Sequence, residues 1–111
     1  MTSHKQLING EWREATNGGT WDVLNPATET VVATVPYGTG DDCDLAIAAA
    51  HRAFADWSRT TPYERGAVLE KTAALIRAGA ADLARTTVLE SGKPLAQARG
   101  EWLAAADLFD W

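Results

Sequence analysis

At Gly40 the apolar pattern of this chain changes period, and that change limits the fold more than any other feature of its 111 residues. Before it, apolar residues come in short β-branched or alternating runs separated by turn residues; after it they recur every three or four positions. A chain written in this way forms a few short strands first and then helices, an α/β arrangement with its β-part at the front. Gln6-Leu7-Ile8 and Glu11-Trp12-Arg13 flank Asn9-Gly10, a pair that tolerates the positive φ angles of a type I′ hairpin turn. Thr20 to Leu24 alternates up to the breaker Asn25-Pro26, and Thr30 to Val35 is a second β-branched run closed by Pro36, Gly38 and Gly40. Strands are thus expected over about 6–36, paired antiparallel through local turns, with His4 in a mobile polar tail.

Helices are expected over about 41–111, about four of them. The first is capped by Asp41 or Asp42 and carries Ile47, Ala50, Phe54 and Trp57 on one stripe. The second opens on Thr61 as N-cap with Pro62 at the first helical position and buries Leu69, Ala73 and Ile76, flanked by Val68, Thr72 and Leu75. Gly79 breaks or bends it, a third runs through Leu83 and Val88 to a cap at Gly92, and the fourth restarts after Pro94. That last helix is apolar on two sides, with Leu95, Ala98, Trp102, Ala105 and Phe109 on one and Ala104, Leu108 and Trp111 on the other, so it expects two neighbours. The pattern stops at Trp111 without a C-terminal signal, which predicts a truncation in preference to an interaction surface.

Composition narrows the function classes. A net charge of -5 with only 10 scattered Lys and Arg argues against nucleic-acid binding. No apolar run approaches the roughly 18–20 residues of a membrane helix, and Met1 to Gln6 is polar, so no membrane partner and a cytoplasmic location are expected. The single cysteine excludes an internal disulfide or paired-thiolate metal site.

The motifs, taken together, resemble the opening of NAD(P)-dependent aldehyde dehydrogenases: Leu7-Ile8-Asn9-Gly10-Glu11-Trp12, Asn25-Pro26-Ala27-Thr28, Val32-Ala33-Thr34-Val35-Pro36, Ala53-Phe54-Ala55-Asp56-Trp57, Pro62-Tyr63-Glu64-Arg65 and Leu89-Glu90-Ser91-Gly92-Lys93-Pro94, with Ala98 and Glu101. Order and spacing match over the whole chain after Lys5. One departure is that the family places Gly-Glu where this chain has Glu29-Thr30, which removes the residue best suited to a positive φ. The ending Leu108-Phe109-Asp110-Trp111 is more similar to succinate-semialdehyde dehydrogenases than to betaine-aldehyde ones.

The resemblance implies an α/β enzyme with a Rossmann-like cofactor domain, of which residues 1–111 would be an incomplete N-terminal segment. The intact enzyme would bind NAD or NADP, oxidise an aldehyde to a carboxylate and form a homo-oligomer. In the family a cysteine thiolate attacks the aldehyde, hydride passes to the nicotinamide, and a glutamate assists hydrolysis of the thioester. The stretches bearing those groups, and the turn that receives the nucleotide, lie downstream of the Lys93-Pro94 motif, so no catalytic, cofactor-binding or metal residue is placed in this chain. The alternative is a non-catalytic remnant serving as an interaction module.

Several residues invite a functional reading and are better taken as scaffold. Cys43 would suit a nucleophile at a helix N-terminus, but Asp41, Asp42 and Asp44 oppose its thiolate. Gly38-Thr39-Gly40 lacks the further glycine or Lys-Ser/Thr of a phosphate loop. His4 and His51 have no second ligand at metal spacing. Glu90 and Glu101 read as solvated or salt-bridged, Lys93 as a partner for the preceding helix's last carbonyls, and the five tryptophans as packing. One carry-over concerns Gly100 and Ala104, one turn apart on the last helix, which in the family borders the aldehyde entry tunnel. Small residues at that spacing also let helices pack closely.

Overall fold

A computed structural model describes residues 2–111, so Met1, where the polar opening starts, lies outside the described residues. Five strands, β1 Thr2–Ser3, β2 Gln6–Ile8, β3 Glu11–Arg13, β4 Thr20–Leu24 and β5 Val31–Pro36, precede three helices, α1 Gly40–Trp57, α2 Pro62–Ser91 and α3 Leu95–Asp110. The chain divides into two compact units, one of residues 1–24 and 29–59, the other of residues 25–28 and 60–111.

In the first unit, Asn9 and Gly10 take φ of 56° and 77°, the two left-handed residues of a type I′ turn, and fold β2 against β3 with Leu7 opposite Trp12. This hairpin is a sheet of its own. A second sheet has the order β1-β5-β4, with β4 and β5 antiparallel from Thr20↔Pro36 and an irregularity between Val23 and Leu24. β1 corrects two expectations: it pairs parallel to β5, and the backbone N–H of His4 extends that edge by donating to the Thr34 carbonyl at 2.9 Å. The N-terminal stretch is held by backbone bonds that need no apolar side chain, so its polar composition hid it.

The turn after Asn25-Pro26 keeps the conformation glycine would give. The Asn25 side-chain oxygen accepts from the Ala27 N–H at 2.9 Å, and Glu29 itself adopts φ 57°. A side chain in the left-handed region costs about 1 kcal/mol relative to glycine, part of which glycine forfeits through the greater freedom of its unfolded chain. Glu29→Gly is therefore expected to raise stability by up to ~1 kcal/mol, read as a higher midpoint in urea; a lower midpoint would mean that the Glu29 side chain contributes something glycine lacks.

In the second unit α2 is one helix of 30 residues, which reduces the expected four helices to three. Gly79 does not adopt a positive φ, and a Cβ there would meet the Leu83 side chain of the same helix at an ordinary contact distance of 3.7 Å. A helical glycine costs roughly 1 kcal/mol. The alanines, leucines and charged helix formers on both sides outweigh that, and packing of α2 on α3 does the rest. The helix begins as the sequence predicts, with Pro62 inside the first turn and Thr61 as cap: the Glu64 N–H donates to Thr61 Oγ1 at 3.2 Å, while the Thr61 N–H donates to Glu64 Oε2 at 2.6 Å. The Thr61 N–H, and the Thr61 hydroxyl donating to the same oxygen at 2.9 Å, hold the Glu64 carboxyl below its ordinary range. It ends on Gly92, φ 72°, whose N–H donates to the Val88 carbonyl at 2.9 Å.

Burial falls on alanines. Ala73, Ala80 and Ala84 of α2 and Ala98 and Ala106 of α3 are buried in the second unit, Ala15 and Ala49 in the first, and among the described residues no large side chain is fully buried. The large apolar residues expected to form the core are mostly outside. Ile47 (61% exposed), Phe54 (66%) and Trp57 leave the α1 stripe open, and Val68, Leu69 and Leu75 are exposed on α2. Of the five tryptophans only Trp102 is partly covered; Trp12, Trp21, Trp57 and Trp111 are exposed, and Trp21 stacks on Tyr37 with ring centres 5.6 Å apart. No helix of the described residues is long and apolar enough to cross a membrane.

Candidate functional site

The polar centre of the first unit is Asp42, 3% exposed, in the first turn of α1. It is not the N-cap; that position belongs to Thr39, three residues earlier, with helix starting at Gly40. Oδ2 of Asp42 accepts from the Thr39 N–H at 3.0 Å and from the Thr39 hydroxyl at 3.2 Å. Oδ1 accepts from Gln6 Nε2 at 2.8 Å, the Thr16 hydroxyl at 2.7 Å and the Thr16 N–H at 3.0 Å, and that same N–H also reaches Oδ2 at 3.2 Å. The Thr16 hydroxyl and the Thr39 N–H, with Gln6 and the Thr16 N–H behind them, favour the charged form over the opposing effect of burial and hold the carboxyl far below the ordinary aspartate range.

This arrangement bears on the cofactor. The nucleotide of a dehydrogenase needs free N–H donors at a helix N-terminus and positive potential for its phosphates. Here the turn Gly38-Thr39-Gly40 is closed by the Asp42 carboxylate, which takes the Thr39 N–H and adds negative charge beside Asp41 and Asp44. These residues do not fit the group. Cys43 follows directly, exposed, its backbone N–H bonded to the Thr39 carbonyl at 3.1 Å. Among the described residues no group of His, Cys, Asp and Glu could hold a metal ion.

In the second unit the residues of the Glu90-to-Pro94 motif organise α2 against α3. Gly92 stands over Pro26: a Cβ there would lie 3.1 Å from Pro26 Cγ. Lys93 pairs with the carboxylate of Glu101 and not with the carbonyls ending α2. The Trp102 Nε1–H donates to Thr87 Oγ1 at 3.0 Å, and Arg77 reaches Asp107 at 2.7 Å and Asp110 at 2.6 Å, which raises the guanidinium's affinity for its proton. Gly100 and Ala104 are both exposed, and nothing lies within 4 Å of the place a Gly100 Cβ would occupy. With Leu108, 79% exposed, they share the side of α3 away from the buried Ala98 and Ala106.

Sequence reasoning missed Asp42 as an acceptor from Gln6 and Thr16, because no local pattern joins positions 26 and 36 residues apart. The Thr-x-x-Asp and Thr-x-x-Glu spacings of Thr39–Asp42 and Thr61–Glu64 were the available signal for both helix starts.

Short strands in front of long helices define the leading part of an α/β fold. The family model for the aldehyde dehydrogenase family matches residues 12–111. The chain is 44% identical over 105 residues to the NADP+-linked succinate-semialdehyde dehydrogenase of Escherichia coli K12, covering 95% of this chain and 22% of that one. It is 44% identical over 104 residues to a glutarate-semialdehyde dehydrogenase of Pseudomonas putida, covering 94% of this chain and 22% of the other. The crystal structure of an NAD-dependent aldehyde dehydrogenase from Sinorhizobium meliloti superposes with a TM-score of 0.94 at 40% identity, over 97% of this chain and 22% of that chain. This chain belongs to the aldehyde dehydrogenase family, whose N-terminal region it matches, and it spans about a fifth of the length of these relatives. Of these relatives the E. coli enzyme is linked to NADP+ and the Sinorhizobium meliloti enzyme depends on NAD.

Proposed function

We propose that residues 1–111 are the N-terminal scaffold of the cofactor domain of an NAD(P)-dependent aldehyde dehydrogenase, and that the intact enzyme oxidises a short semialdehyde, succinate semialdehyde first, to its carboxylate. The observation that carries this is the likeness along nearly the whole chain to a succinate-semialdehyde dehydrogenase at 44% identity. The scaffold role rests on what the described side chains do: the carboxylates cap helices or pair with cations, and Asp42 excludes a phosphate from the turn it closes. The intact enzyme works in the cytoplasm as a homo-oligomer, away from nucleic acid and membrane, in keeping with the acidic net charge of -5.

A chimera tests the reading. The E. coli succinate-semialdehyde dehydrogenase, its N-terminal region replaced by these 111 residues, is expected to oxidise succinate semialdehyde with NADP+. A soluble, correctly assembled chimera without activity would count against it. Within that chimera Gly100 and Ala104 line the route by which the aldehyde enters. Their exposed, small surface on α3 supports this. Gly100→Trp or Ala104→Trp should then raise KM for the aldehyde by roughly tenfold or more, leaving KM for NADP+ unchanged. An equal change in both constants would assign the pair to packing.

A further inference from the structure

Hairpin β2–β3 is attached in an unusual way. Its strands pair only with each other, and a lone two-stranded hairpin is marginal in water. Leu7 and Trp12, opposite each other, are both exposed, so burial holds it weakly. Towards α1, residues Leu7 to Gly10 face Ala46, Ala49, Ala50 and Ala53 across an open cavity of about 360 Å³. Both ends of the hairpin segment nevertheless meet at one carboxylate: Gln6 at the start of β2 and Thr16 after β3 each donate to Oδ1 of Asp42. An exposed Lys5–Glu14 pair at 3.7 Å adds little at the same base. The other oxygen, Oδ2, holds the Thr39 cap of α1.

We propose that Asp42 is a clasp with two separable sets of donors: Gln6 and Thr16 fasten the segment 5–16 as a strap along α1, Thr39 fastens the first turn of the helix, and loss of the carboxylate releases both together. Bonds to an ionised acceptor are roughly twice as strong as neutral ones, and this acceptor gathers five donor groups where the rest of the strap has few contacts. Openings of such segments occur below the free energy of global unfolding and set the protection of their amides.

Amide hydrogen exchange of the 111-residue chain reads each set of donors. The hairpin amides over 6–13 report the strap, the Cys43 amide reports the first turn of α1, and the Ala80 and Ala84 amides serve as the control in α2. Asp42→Ala is expected to lower protection of the hairpin and of Cys43 together by at least about tenfold, with the α2 amides unchanged. The double variant Gln6→Ala/Thr16→Val removes the strap's side-chain donors and leaves both Thr39 bonds in place; it should loosen the hairpin by several-fold and leave Cys43 protected. If Asp42→Ala does not fold, the double variant decides alone. A hairpin as protected as in the parent, or a Cys43 amide loosened as much as the hairpin in the double variant, overturns the proposal.

Discussion

Asp42→Ala is expected to lower the thermal midpoint of this chain by roughly 5–10 °C, among the largest effects a single substitution has here. The substitution strips the partner from the N–H and hydroxyl groups of Thr16 and Thr39 and from the Gln6 amide, donors that sit around a site 3% exposed. It also predicts a pH signature. The folded carboxyl ionises far below the ordinary aspartate value of about 3.9, so its contribution is fully present above that value and is lost as the pH falls through the folded value. Between about pH 7 and 5 the gap between parent and variant should stay constant; below about pH 4 it should shrink. A gap that closes already near pH 6 would assign the effect to another group.

Gly92→Ala should cost about 1–2 kcal/mol, or roughly 5–15 °C in a domain of this size. Two causes add. At φ 72° an alanine is strained by its own backbone, and its Cβ would stand 3.1 Å from Pro26 Cγ. They separate experimentally, because Gly92→Asn tolerates the left-handed conformation but keeps the contact, whereas adding Pro26→Ala relieves the contact and keeps the strain. Recovery of most of the loss in Gly92→Asn would make the dihedral the dominant cause. A Gly92→Ala chain as stable as the parent would contradict the placement of this cap.

Features written in adjacent residues were legible in the sequence. Asn9-Gly10 gave its hairpin, Thr61-Pro62 and Gly92 the ends of α2, and the family motifs the identity of the segment. Features depending on distant partners were not. Asp42 reads as one acid among three until Gln6 and Thr16 arrive from the strands, and β1 has no apolar pattern to announce it. The helix stripes were placed in part: Ala73 of α2 is buried and Ile76 half-buried as expected, whereas Leu69 is exposed. On α1, Ile47, Phe54 and Trp57 are spaced for burial yet exposed, and what is buried in each unit is mostly alanine. Gly79 misled because glycine raises the cost of a helix without ending it, whereas Gly92 ends α2 by taking a positive φ. Lys93 went to Glu101, a carboxylate one element away, since an ion pair is stronger than a bond to a terminal carbonyl.

The central claim is that this segment supplies scaffold to an aldehyde dehydrogenase and no reacting group. Its most direct test is the absorbance of NADPH in a solution of the purified chain, succinate semialdehyde and NADP+. The account predicts a background rate, the same for Cys43→Ser. A steady rate that Cys43→Ser abolishes would contradict it.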